Sequence, residues 1–148
     1  MCLLKRLLCE RSFCELSRQQ MLHAVLIVNN HGKPRLTKFY DRMSEEKQQQ
    51  IIRECFNLVS RRTDKLCNFL EADLFGEGTK LVYRHYATLY FVFVVDGSES
   101  ELAILDLIQV FVEALDKCFE NVCELDLIFH FDRVCAKCML IPFGSLCL

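Results

Sequence analysis

The sequence predicts an α+β fold: a five-stranded, antiparallel-rich sheet with helices on its faces, in the order β-β-α-β-β-β-α-α. Three observations predict it. Five strand-like runs are joined by short turns rather than by crossovers. Two long segments carry apolar residues at 3.6-residue spacing. Thr88 to Val95 (TLYFVFVV) is apolar on both faces, as a central strand covered on two sides must be.

Each element has its own local reason. Met21 to Val28 (MLHAVLIV) is a β-rich run, and Asn29-Asn30-His31-Gly32-Lys33-Pro34 is a turn in which Gly supplies φ > 0 and Pro fixes φ. Arg35 to Tyr40 alternates and forms the partner strand of a hairpin. Ser44 is a good N-cap, Glu45 and Glu46 suit a first turn, and Ile51, Ile52, Cys55, Phe56 and Val59 line one face. A helix is therefore expected over Ser44 to Arg62. Strands follow at Leu66 to Glu71, Lys80 to His85 and Thr88 to Val95. Ser98 with Glu101 has capping-box spacing, which predicts a helix over Glu99 to Phe119 with Leu102, Leu105, Ile108, Phe111, Val112 and Leu115 as a broad stripe. A third helix is expected from Val122 to about Val134.

The chain has 148 residues, enough for one domain. A chain of that size buries about 68–70% of its unfolded surface, so a core without covalent staples is feasible. It is 52% hydrophobic and 26% charged, a globular composition with a hint of apolar surface meant for a partner. A net charge of −2 argues against nucleic-acid binding, which needs a basic stripe. There are 10 cysteines, but Cys55, Cys118 and Cys123 fall in helical patterns, where free Cys acts as a small buried hydrophobe. The apolar start, Met1 to Leu8, is interrupted by Lys5 and Arg6, and no cleavage site follows. A reducing, cytoplasmic setting is expected. No run approaches the ~20 apolar residues of a membrane span.

Catalytic signatures are weak. Gly32-Lys33 lacks the upstream glycine of a phosphate loop. Cys135-Ala136-Lys137-Cys138 is a single C-x-x-C without the second pair that a structural zinc site draws on, so neither metal nor cofactor is expected. His23, His31, His85 and His130 are scattered and structural. Glu71, Asp73, Glu124 and Asp126 are candidate carboxylates whose simpler roles are solvation and capping. The basic residues Arg61, Arg62, Lys65 and Arg84 are too few per patch to hold a membrane surface.

A series of segments resembles the small (sigma) subunits of heterotetrameric clathrin-adaptor complexes. They are Asn30-His31-Gly32-Lys33-Pro34-Arg35-Leu36, Lys38-Phe39-Tyr40, Gln49-Gln50-Ile51-Ile52-Arg53-Glu54, Asn68-Phe69-Leu70-Glu71, Tyr83 to Phe91, and above all Phe119-Glu120-Asn121-Val122-Cys123-Glu124-Leu125-Asp126-Leu127-Ile128-Phe129. The turn at His31-Gly32-Lys33-Pro34 and the run Leu105 to Phe111 look most like the third, delta-containing complex. The likeness covers Met21 to Val134 in unbroken order. It leaves residues 1–20 as a leader outside the family pattern and 135–148 as a divergent tail. It implies a longin-like fold, in agreement with the element order above. It also implies a delta-type large chain, a beta-type large chain and a mu medium chain as partners, with peripheral association on Golgi, endosomal and vesicle membranes and a role in transport to lysosomes and related organelles.

The resemblance further implies a site for acidic dileucine sorting signals in cargo tails. Arg35 matches the basic residue near the signal's acidic side chain. Ala87, Leu89, Val112, Val122 and Leu125 match the apolar lining of leucine pockets, and Asn121 matches a polar position beside them. From the residues alone, the apolar set is ordinary core and Arg35 a surface strand charge. Two other classes stay open. One is a stand-alone longin regulator of membrane fusion or of a small GTPase, which usually continues into a coiled coil or membrane anchor, neither of which is seen here. The other is a redox or metal protein built on Cys135 and Cys138.

Overall fold

The computed structural model describes residues 22–62, 68–119 and 123–130. The leader and the tail with Cys135 and Cys138 lie outside the described residues. So do the start of the third predicted strand, Asn121, Val122, the side chain of Cys118 and the predicted third helix beyond residue 130.

The strands are β1 (Leu22–Asn29), β2 (Pro34–Phe39), β3 (Phe69–Glu71), β4 (Thr79–Tyr86) and β5 (Leu89–Asp96). The helices among the described residues are α1 (Glu45–Ser60), α2 (Glu101–Phe119) and α3 (Glu124–Phe129). The sheet order is β2-β1-β5-β4-β3, and every neighbouring pair is antiparallel. The predicted fold class is thus the observed one. β5 is the middle strand, flanked by β1 (Ile27 opposite Phe91) and β4 (Val82 opposite Phe93).

Period-two alternation sorts β1, β4 and β5 onto two cores. On one side Val25, Ile27, Val82, Leu89, Phe91, Phe93 and Val95 meet Ile104, Ile108, Phe111, Val112 and Leu115 of α2 and Leu127 of α3. On the other side Ala24, Leu26, Val28, Leu81, Tyr83, Val92 and Val94 meet Ile51, Ile52, Cys55 and Val59 of α1. The molecule is therefore helix, sheet, helices, with the central strand buried on both faces. Phe91 and Phe93 pack against Phe111, each with ring centroids 6.2 Å apart. Side chains of this size stabilise the fold by about 1.5–3 kcal/mol each when buried.

α1 begins as its sequence demands. Ser44 is the N-cap, its Oγ accepting from the Lys47 amide at 3.4 Å, with Glu45 and Glu46 in the first turn. α2 differs. It starts at Glu101, not Glu99, because Asp96 to Glu99 closes a turn in which the Glu99 amide donates to the Asp96 carbonyl. The Glu101 carboxylate reaches across to β4 and accepts from Lys80 Nζ at 2.6 Å. α3 starts at Glu124 rather than Val122. Cys123 is its N-cap, and the Asp126 carboxylate accepts from the Cys123 amide at 3.0 Å. Asp126 thus has the capping role expected of it, and that hydrogen bond lowers its pKa. Cys123 is exposed, against the expectation of burial, because it precedes the helix instead of lying on its inner face.

The turn between β1 and β2 is built around Asn29. Its carbonyl accepts from the Gly32 amide, and its side-chain oxygen accepts from the His31 and Lys33 amides at 3.0 and 2.8 Å. Gly32 sits at φ +78, and a Cβ there would meet the Phe56 ring at 2.7 Å. Only glycine fits both conditions.

Candidate functional site

A hollow of about 340 Å³ opens at the β4–β5 turn, lined by Tyr86, Ala87, Thr88, Leu89, Phe91, Val112, Asp116, Cys123 and Glu124. Three elements converge to make it. The β4–β5 hairpin pairs Tyr86 with Leu89, leaving Ala87 and Thr88 as a two-residue loop at the rim. Ala87 has φ +52, a left-handed backbone that L-residues rarely adopt. Val112 comes from the inner face of α2, and Cys123 with Glu124 from the start of α3. Leu89, Phe91 and Val112 are buried core residues whose near faces form the apolar floor.

The wall is braced. Tyr86 stacks edge-on against Phe91 with centroids 5.6 Å apart, and its hydroxyl donates to Gln109 Oε1. Gln109 in turn donates to Glu113 at 2.9 Å, one turn further along α2.

Electrostatics at the other side centre on Glu124. Its Oε1 accepts from both Nε and Nη2 of Arg35, an ion pair between an edge strand and the start of α3. The same oxygen accepts from Asn29 Nδ2 at 3.1 Å. The hydrogen bond from Arg35, with help from Asn29, holds the Glu124 carboxyl below the usual carboxylate range.

The structure therefore joins some of the sequence-predicted residues and separates others. Ala87, Leu89 and Val112 share one hollow. Arg35 is one contact removed from it, reached through Glu124. Leu125 is 60% exposed and does not line the hollow. On a short helix two residues separate opposite faces, and Leu127 takes the buried position instead. Asn121 and Val122 lie outside the described residues. The sequence reading missed Tyr86, Asp116, Asn29 and the partnership of Glu124 with Arg35. Asn29 looks like a turn residue, which it also is. The only signal for its second role is that an asparagine at the end of a buried strand must satisfy its amide somewhere.

No cluster of three His, Cys, Asp or Glu side chains suited to a metal occurs among the described residues. None of the described helices is long and apolar enough to cross a membrane.

Comparison with known proteins agrees with this architecture. The clathrin adaptor complex small chain family matches residues 21–139. The chain is 69% identical over 118 residues to an AP-3 complex subunit sigma of Dictyostelium discoideum, spanning 77% of this chain and 69% of that protein. It is 70% identical over 116 residues to AP-3 complex subunit sigma-2 of Homo sapiens, spanning 77% of this chain but only 60% of that protein. An AP-3 complex subunit sigma of Arabidopsis thaliana is 56% identical over 126 residues, 84% of this chain and 76% of the plant protein. Among structures, a chain of a homology model of the full-length AP-3 complex in a stretched open conformation superposes with a TM-score of 0.69 at 40% identity, covering 86% of this chain and 85% of that one. The protein belongs to the clathrin adaptor complex small chain family, beside the AP-3 sigma subunits, a family of non-enzymatic components of vesicle transport.

Proposed function

We propose that the chain is the small subunit of a heterotetrameric AP-3-type coat adaptor and that its hollow helps to hold acidic dileucine sorting signals of membrane cargo. Its partners in that assembly are a delta-type large chain, a beta-type large chain and a mu medium chain. The complex would act peripherally on Golgi, endosomal and vesicle membranes in transport toward lysosomes and related organelles. The observation that carries the reading is the hollow itself: an apolar floor of Leu89, Phe91 and Val112 with Ala87 at the rim, and an arginine one contact away.

The size suits the task. About 340 Å³ lies at the low end of the roughly 300–1,000 Å³ range of small-molecule pockets, and suits leucine side chains better than a cofactor. Each leucine buried there contributes about 1.5–3 kcal/mol. A partly exposed ion pair with the signal's acid adds only about 0–1 kcal/mol. Affinity for one tail is then weak, and many tails on one membrane compensate through avidity. Exposed Leu102, Val110, Leu125 and Phe129 provide apolar surface that larger subunits would cover.

The test is binding of a dileucine peptide to the assembled complex. Val112→Asp, which places a charge on the floor of the hollow, should reduce binding at least tenfold, since stranding a carboxylate among apolar groups costs more than about 1.4 kcal/mol. Undiminished binding would remove the hollow from the signal site. Failure of the chain to co-purify with a delta-type large chain would remove the subunit reading altogether.

A further inference from the structure

The floor of the hollow does not yield. Leu89, Phe91 and Val112 are buried core side chains, and a close-packed core gives little when a larger group presses on it. The wall is different. Tyr86 is half-buried and is the one aromatic lining residue outside the sealed core, so its side-chain torsions set how wide the hollow is. The ring stands edge-on to Phe91, with an interplanar angle of 83° and centroids 5.6 Å apart. Its far end is fixed as well. The Tyr86 hydroxyl donates to Gln109 Oε1, and Gln109 Nε2 donates to Glu113 Oε1 at 2.9 Å. The ring is thus held from the strand below it and from α2 beside it. Apolar packing alone would leave the hydroxyl to water; here two side-chain hydrogen bonds in series aim it.

We propose that Tyr86 is a specificity-determining residue of the hollow, setting its width against side chains larger than leucine, and that Gln109 is the residue that positions it. This rests on the dileucine reading of the hollow and concerns only its shape. A leucine side chain is short and fits the space as it stands. A phenylalanine is longer and flat, and it enters only if the Tyr86 ring swings aside. That swing breaks the hydrogen bond to Gln109 and the edge contact with Phe91. The cost falls on the larger side chain alone, so the latch discriminates without strengthening leucine binding.

The test uses the assembled complex and three peptides that differ only at the leucine pair: Leu-Leu, Phe-Leu and Leu-Phe. At the position that faces Tyr86, the wild type should favour leucine over phenylalanine by about tenfold or more, the scale of overpacking a fixed core. Tyr86→Ala removes the wall and should bring that ratio within about threefold. Tyr86→Phe and Gln109→Leu keep the packing but cut the latch, and each should lower the ratio by about threefold, the worth of one neutral hydrogen bond. The two together should do no more than either alone, because they remove the same bond. Gln109→Glu keeps an acceptor for the hydroxyl and should retain the wild-type ratio, although it sets a like charge beside Glu113. A merely structural Tyr86 would weaken all three peptides alike and leave the ratio fixed. A wild-type complex that binds the three peptides equally would overturn the proposal. So would latch variants that keep the wild-type ratio, and these decide the matter even where Tyr86→Ala fails to assemble. If that result came with loss of the Leu-Leu peptide in Val112→Asp, the leucine reading would stand and the role of Tyr86 alone would fall. If Val112→Asp left Leu-Leu binding untouched, both would fall together.

Discussion

His23 Nε2 lies 2.6 Å from Asp96 Oδ1, which ties the start of β1 to the end of β5, and the other ring nitrogen lies 2.6 Å from Asp41 Oδ2. Two carboxylates on one imidazole are both satisfied only by the doubly protonated ring. Burial opposes that charge, but the hydrogen bonds to Asp96 and Asp41 outweigh it, and the His23 pKa is raised above 6.5. A group whose folded pKa is raised stabilises the fold fully below the unfolded value, and that stabilisation is lost as pH rises through the folded value. His23→Gln should therefore cost more at pH 6 than at pH 8. Because the ring and its partners are partly exposed, the difference is expected to be small, about 0–1 kcal/mol. Thermal melts of both proteins at the two pH values check it, and equal losses would show the bridge to be electrically silent.

Ala87 is held at φ +52 at the rim of the hollow. A left-handed L-residue costs roughly 1–2 kcal/mol, and glycine removes that strain. Glycine also loosens the unfolded chain, a loss of about 0.4–1 kcal/mol. Strain relief wins, so Ala87→Gly should stabilise the protein by about 0.5–1 kcal/mol. It also deletes the methyl that lines the hollow, so dileucine peptide affinity should fall. Urea unfolding and peptide titration together test this; a destabilised Ala87→Gly would contradict the strain.

Leu127 and Leu125 lie on opposite faces of α3, the first 1% and the second 60% exposed. Leu127→Ala should destabilise the fold by about 2–5 kcal/mol. Leu125→Ala should stay within about 0.5 kcal/mol in the isolated chain. Similar losses at the two positions would mean that α3 docks in another rotation.

Cys55 is buried against the sheet, and burial pushes its thiol up to about 12, whereas Cys123 is exposed. The thiolate is the reactive form, so Cys55 should resist iodoacetamide at pH 8 in the folded protein while Cys123 is alkylated. Peptide mass spectrometry after native labelling separates the two sites. Alkylation of Cys55 on the same timescale as Cys123 would show that α1 opens readily.

Much of the architecture was legible because local patterns and global packing agree. The stripe Ile51, Ile52, Cys55 and Val59 predicted the buried face of α1, and the two-faced apolar run of β5 predicted its central place. Boundaries were less legible where a side chain had a better long-range partner. Glu101 has capping-box spacing to Ser98 but pairs with Lys80, 21 residues earlier, and α2 begins later than expected. The periodicity of α3 was equally ambiguous, since six residues carry too little repeat to fix which leucine turns inward.

The sequence by itself determined what kinds of surfaces exist: a sheet greasy on two sides, helices with one apolar stripe, and a glycine where a tight turn passes a ring. These depend on periodicity and backbone sterics, which act over a few residues. Only the tertiary structure decided that Arg35 meets Glu124, 89 residues away, and that the same Glu124 oxygen also accepts from the turn asparagine Asn29. An ion pair of that span leaves no local pattern, because charges on separate elements find each other only after packing has set the distance between them.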